Sequence, residues 1–172
     1  MLNEKLKTTQ NLSSEGIDEI VEAIGGSQNN FNEVFELLYD DDFSIRSNAA
    51  VVIRKVSQDH PSLMEGKKGE LFKQLPRMQN PDVKIQMARI LPHLEYEYRE
   101  KKFISDLLLH WLKAEVRSEE VKVECMNSLA EMAISDPFLK PEVIIEIEQQ
   151  MYNGTPNLRS TGQRLLQKVR GY

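Results

Sequence analysis

Three histidines, one cysteine and a run of three aspartates are the side chains of this chain with the most evident chemical potential. Histidines at short helical spacing, or joined by cysteines or carboxylates, would ligate a metal. His60, His93 and His110 instead fall on different segments. His60 precedes a proline that opens a helix, and His110 takes a slot that the apolar pattern assigns to the core. His93 alone is expected to face outward. Cys125 would need a neighbouring base to act as a nucleophile. It occupies the position that Ala49 holds in an earlier stretch of the same pattern, so core packing is expected. Asp40-Asp41-Asp42 has the look of a cation site, yet it lies just before a helix, where one carboxylate caps and the others favour the helix dipole. Glycine-rich phosphate loops, nucleophile elbows and paired-histidine motifs are missing from the sequence. The expectation is a non-enzymatic protein with no cofactor and no bound metal.

The elements that carry these residues repeat. Ile45, Val83, Val121 and Leu158 are equivalent anchors, spaced by 38, 38 and 37 residues. Three residues before each anchor stand Asp42, Asn80, Ser118 and Thr155, all able to accept a backbone N–H and cap a helix. Pro81 and Pro156 follow two of these caps, at the position where proline suits a helix start. One residue past each anchor is basic: Arg46, Lys84, Lys122 and Arg159. Apolar or small residues then recur four, eight and eleven residues on. They are Ala49, Ile53 and Val56, then Met87, Leu91 and Leu94, then Cys125, Leu129 and Met132, and last Gly162, Leu166 and Val169.

Between these helices the sequence predicts four others, at about Asn30–Tyr39, up to about Leu75, at about Lys102–Ala114 and from Pro141 to a stop at Asn153-Gly154. In the third, Trp111 shares core spacing with Leu107 and Leu108. A helix capped by Ser13 or Ser14 and stopped by Gly25-Gly26 precedes the array; Ile17, Ile20, Val21 and Ile24 line one face of it. Residues 1 to about 13 show no clean periodicity and read as a frayed lead-in. The expected organisation is therefore a lead-in and capping helix over 1–28, then four repeats over 29–172 in one continuous domain.

Asp-Phe-Ser-Ile-Arg-Ser-Asn-Ala-Ala at residues 42–50 resembles the second-helix signature of HEAT repeats and the related armadillo-like arrays. Asn80–Ala88, Ser118–Met126 and Thr155–Gln163 are looser copies, and the resemblance covers about residues 29–170. It implies an all-α solenoid of helical hairpins whose second helices line a concave groove. It also implies an aspartate five residues before each anchor, laddered to the basic residue of a neighbouring repeat. Only Asp40 is so placed, while Met78, Val116 and Asn153 hold the other positions, so a continuous ladder is not expected.

At about 100° per residue, the recurring apolar positions share one side of each second helix, and the basic residue after the anchor falls within it. Its stem should pack between repeats while its charge reaches a carbonyl at a helix end. The positions left outside are three, six and ten residues past the anchor. They are Asn48, Val51 and Lys55; Gln86, Arg89 and His93; Glu124, Asn127 and Glu131; Thr161, Arg164 and Lys168. These twelve are the candidate partner-binding groove, with Arg89 and His93 one helical turn apart.

A net charge of −5 and the mixed signs of that set disfavour gripping a phosphate backbone. The expected role is a protein-binding scaffold or adaptor that takes a partner segment in the groove, the partner being another protein. The alternative is a nucleic-acid-binding or DNA-repair relative that excises alkylated bases, for which no catalytic residue can be matched here. A single cysteine implies no oxidising compartment. The start of the chain lacks the apolar core of a signal peptide, and no run approaches the ~20 apolar residues that span a bilayer. The expectation is a cytoplasmic monomer.

Overall fold

The computed structural model describes residues 2–8 and 12–171. It is all-α, and among the described residues there is no strand. The helices are α1 (Leu2–Thr8), α2 (Ser14–Ile24), α3 (Gln28–Glu36), α4 (Phe43–Asp59), α5 (Pro61–Glu65) and α6 (Lys68–Gln74). After them come α7 (Pro81–Ile90), α8 (Tyr98–Ala114), α9 (Glu119–Ile134), α10 (Lys140–Tyr152) and α11 (Pro156–Arg170). Short 3₁₀ turns close α3, α6 and α7. The chain divides into two compact units, Met1–Ile90 and Leu91–Tyr172.

All four expected caps are made. The Asp42 carboxylate accepts the N–H groups of Ser44 at 2.7 Å and Ile45 at 3.2 Å. Asn80 Oδ1 accepts from Asp82 at 2.9 Å and Val83 at 3.4 Å. Ser118 Oγ accepts from Val121 at 3.3 Å, and Thr155 Oγ1 from Leu158 at 3.2 Å. Each satisfies donors that a helix start leaves without partners. The apolar positions four, eight and eleven residues past every anchor are buried, Cys125 completely.

In the first unit α4 is the hub. It packs on α1, α2, α3, α5 and α7, with Ala49, Ala50, Val52, Ile53 and Val56 fully buried. α2 is the expected capping helix: Ser13 Oγ accepts the Gly16 N–H at 3.1 Å. Gly25 closes it at φ 50°, where its N–H reaches the Val21 carbonyl and a side chain would be strained. Before α2, however, the structure differs from the expected lead-in. Leu2–Thr8 form α1, which packs on α3 and α4 and buries Leu6 completely; residues 9–11 lie outside those described. Lys5 Nζ meets Glu19 Oε2 of α2 at 2.5 Å, and Lys7 reaches Asp40, just past α3, at 3.3 Å. Seven residues with two leucines are too few to show a period, and only the packing surface of α3 and α4 makes this helix worthwhile.

The helix leading to Leu75 is broken into α5 and α6 at Gly66-Lys67. α7 stops at Ile90 rather than running past Leu94, because Pro92 lacks an N–H and its ring crowds the carbonyl four residues back. Leu91 and Leu94 are buried all the same, and Tyr96 Oη donates to the Leu91 carbonyl at 2.5 Å.

In the second unit α9 is the hub, packing on α8, α10, α11 and the 3₁₀ turn Leu91–His93. α8 begins four residues before the expected start, at a capping box in which Glu97 and Glu100 exchange side-chain and backbone bonds. Gly154 follows α10 with no need for positive φ. Its requirement is steric, since a Cβ there would sit 2.5 Å from the Gln150 carbonyl oxygen and 3.0 Å from Leu158. The first contact is backbone and cannot swing away. Gly154→Ala is therefore expected to cost about 1–3 kcal/mol, measurable as a lower denaturation midpoint at unchanged slope.

Each unit carries a polar link different from the acid–base ladder that the resemblance implies. Ser47 Oγ donates to Asp82 Oδ2 at 2.9 Å, and Asn80 Nδ2 donates to Ser47 Oγ at 3.2 Å, joining the starts of α4 and α7. Thr155 Oγ1 and Asn157 Nδ2 both donate to the Glu119 carboxylate at 2.7 Å, joining α9 and α11. The bond from Asn157, then that from Thr155, holds the Glu119 carboxyl below the usual carboxylate range.

Candidate partner-binding face

On the first unit, Asn48, Val51 and Lys55 lie half-buried along α4 and Arg89 half-buried on α7. Two of the expected groove residues are committed elsewhere. Lys55 Nζ contacts Asp18 Oδ1 on α2 at 2.5 Å. Gln86 is only 8 % exposed, and its Oε1 accepts from Arg54 Nε at 2.7 Å. It is therefore not a surface residue: α4 and α7 pack side by side, and the Arg54 guanidinium takes the amide as its acceptor. His93 is displaced too. With α7 ended at Ile90 it sits in the 3₁₀ turn Leu91–His93, which belongs to the second unit.

On the second unit the expected positions come together. Glu124 and Asn127 are half-buried on α9 and Glu131 is exposed; on the adjacent α11, Thr161 is half-buried while Arg164 and Lys168 are exposed. Arg164 Nη2 donates to Asn127 Oδ1 at 3.2 Å, and His93 Nδ1 lies 3.5 Å from Glu131 Oε1. Both members of the His93–Glu131 pair are more than half exposed, so it contributes little to stability. This face of α9 and α11 thus carries two carboxylates, two cations and uncharged hydrogen-bonding groups.

The basic residue after the anchor plays the expected part at the first repeat, where Arg46 Nη1 donates to the carbonyls of Asp40 at 2.6 Å and Asp41 at 3.0 Å. At the third, Lys122 Nζ donates instead to a side-chain amide, Gln150 Oε1, at 3.0 Å. At the fourth, Arg159 is exposed.

The residues with catalytic or metal-binding potential lie apart. His60 is half-buried between α4 and α5. His110 is exposed and not in the core, while Leu107, Leu108 and Trp111 are buried as their spacing implied, Trp111 at 3 % exposure. Asp42 caps α4, while Asp40 Oδ1 accepts the Asp42 N–H at 3.0 Å, the main cause holding the Asp40 carboxyl below its usual range. Among the described residues no three histidine, cysteine, aspartate or glutamate side chains group as a metal site would need. Beside Asp40 a cavity of about 250 Å³ is walled by Tyr39, Arg46, Arg77 and Asn80. Burial pushes the Tyr39 phenol well above its ordinary range, and its Oη is buried with no hydrogen-bond partner among the described residues.

The family description that matches this chain is the HEAT repeat domain, over residues 2–169. The match takes in α1, which the internal period of the sequence did not reach. Among curated proteins, none matches the chain.

Proposed function

The chain belongs to the HEAT-repeat family, and from that membership we propose that it is a non-enzymatic adaptor holding a partner polypeptide on its second helices. Repeats of this family typically mediate protein–protein interaction. One observation carries the finer reading. On α9 and α11 the six positions outside the apolar arc are half-buried or exposed, and their charge alternates from negative on α9 to positive on α11, while the opposite sides of both helices are buried. Glu124 and Glu131 on one helix face Arg164 and Lys168 on the next. Such an alternation selects a segment bearing both signs and sets its register, whereas a phosphate backbone calls for one continuous positive stripe. Among the described residues no helix is long and apolar enough to cross a membrane.

The test is the double reversal Glu131→Lys with Arg164→Glu. Both side chains are exposed, so stability should shift by only about 0.5 kcal/mol. Quantitative affinity capture should show the partner recovered by the wild-type chain falling several-fold with the variant, at a nearly unchanged melting temperature. Unchanged recovery would remove this face from consideration.

A further inference from the structure

The second unit carries another surface, formed by the start of α8, the turn after α9 and the start of α10, that was not legible in the repeat pattern. Two of the most exposed aromatic side chains of the protein, Tyr98 at 81 % and Phe138 at 92 % exposure, border one cavity of about 190 Å³. A water occupies about 30 Å³ of liquid, so the cavity has room for a side-chain headgroup. The charged residues of its lining are Lys101, Lys102, Asp106, Asp136 and Glu142.

Most of those charges are already matched. Lys102 Nζ bonds both Asp106 oxygens, at 2.9 and 3.1 Å, and Lys101 Nζ lies 3.2 Å from Asp136. Asp136 also accepts the N–H groups of Phe138 at 3.0 Å and Leu139 at 3.4 Å. The Phe138 ring, on this turn, stands in solvent. Glu142 is exposed and makes no hydrogen bond or ion pair among the described residues, although it lies near enough to Lys102 to favour that ammonium's charge. With the two lysines balanced by the two aspartates, the lining keeps one negative charge, at Glu142, in a cavity that two aromatic side chains also border.

We propose that the cavity bordered by Tyr98, Phe138 and Glu142 is a docking site for an arginine side chain of a partner protein. The chemistry selects this occupant. Aromatic faces attract a cation. The planar guanidinium stacks on a ring and meets a carboxylate through two parallel N–H donors, and it sheds its hydration more readily than an ammonium does. A phosphorylated or acidic segment would meet the uncompensated carboxylate instead. An aliphatic anchor would leave Glu142 without a partner at the edge of the contact.

A nine-residue glycine–serine peptide with one central arginine is the probe, and its citrulline counterpart, which keeps shape and loses charge, is the control. Titration of the full chain followed by amide NMR should give saturable shifts at Tyr98, Phe138, Leu139, Lys140 and Glu142, with Kd roughly in the millimolar range for a single anchor. The citrulline peptide should give none. Phe138→Ala and Glu142→Gln, both at exposed positions, should each weaken binding at least about five-fold, while the Glu131→Lys/Arg164→Glu reversal should leave it unchanged. Lack of shifts at these amides, equal shifts with citrulline, or full binding by both single variants would overturn the assignment. None of these results depends on whether the α9–α11 face binds a partner.

Discussion

Val121→Asp should lose roughly 3–5 kcal/mol of stability at neutral pH, the cost of an uncompensated buried charge. Val121 is completely buried in the first turn of α9, at the anchor position of the third repeat. The nearest basic residue in sequence, Lys122, already donates to Gln150. A carboxylate at 121 would be desolvated, and its folded pKa would rise above the ordinary aspartate value near 4. The sign of the pH dependence follows. A raised folded pKa means that the folded state binds the proton more tightly, so the penalty is smallest at acid pH and grows as pH climbs through the folded pKa. Thermal melts of the variant and wild type at pH 4.5 and 7 should therefore differ less at the lower pH, a trend opposite to simple acid unfolding. Cys125→Ala, four residues on along the same buried side, should cost only about 1 kcal/mol, because the slot accepts alanine in the first repeat and Ala49 is buried there just as completely. A Val121→Asp protein as stable as wild type would remove α9 from the centre of its unit. Full stability of Cys125→Ala combined with loss of partner capture would make the cysteine functional.

The features that could be read in the sequence are those written by local chemistry and repeated. Asp42, Asn80, Ser118 and Thr155 cap helices because any exposed N–H at a helix start wants an acceptor, and four copies make the signal unmistakable. The buried arc was equally legible, since it follows from helical geometry alone. What escaped depends on packing or on single residues. α1 lacks enough apolar positions to show a period and exists because α3 and α4 offer it a surface. Gln86 sits at a position that geometry places outside the arc, yet the Arg54 side chain of the neighbouring helix draws it in. The end of α7 was available in Pro92, but the strength of the repeat argued for continuing the helix. Glu97 and Glu100 likewise spell a helix start for α8 that the absence of apolar residues in its first turn disguised. The Tyr98–Phe138 cavity could not have been found this way, because it joins a helix start to a loop 40 residues on.

Removing α10 and α11 by ending the chain after Leu139 should leave a folded but less stable protein rather than an unfolded one. In a repeat array each element contacts chiefly its neighbours, and stability is close to a sum over units and interfaces. α10 and α11 pack on each other and on α9, and the first unit has its own hub in α4, with a core from Phe31 to Met87. Truncation thus deletes 13 and 15 helical residues and uncovers the side of α9 on which they lie. The buried Val143, Ile147, Leu158, Leu165 and Val169 are lost with it. Each would contribute about 1.5–3 kcal/mol of gross burial, largely offset by the backbone and side-chain entropy no longer frozen, so the net loss is much smaller than the sum. The expected circular dichroism spectrum remains helical, reduced in proportion to the helices removed, with a cooperative melt at lower temperature. Amide hydrogen exchange separates the contributions: protection in α3, α4 and α7 should stay near the full-length level, while α8 and α9 exchange faster because their hub has lost half its cover. A truncated chain without helical signal, or one in which protection of α4 falls as far as that of α9, would mean that the two units stand or fall together and that the nearest-neighbour account of this array is wrong.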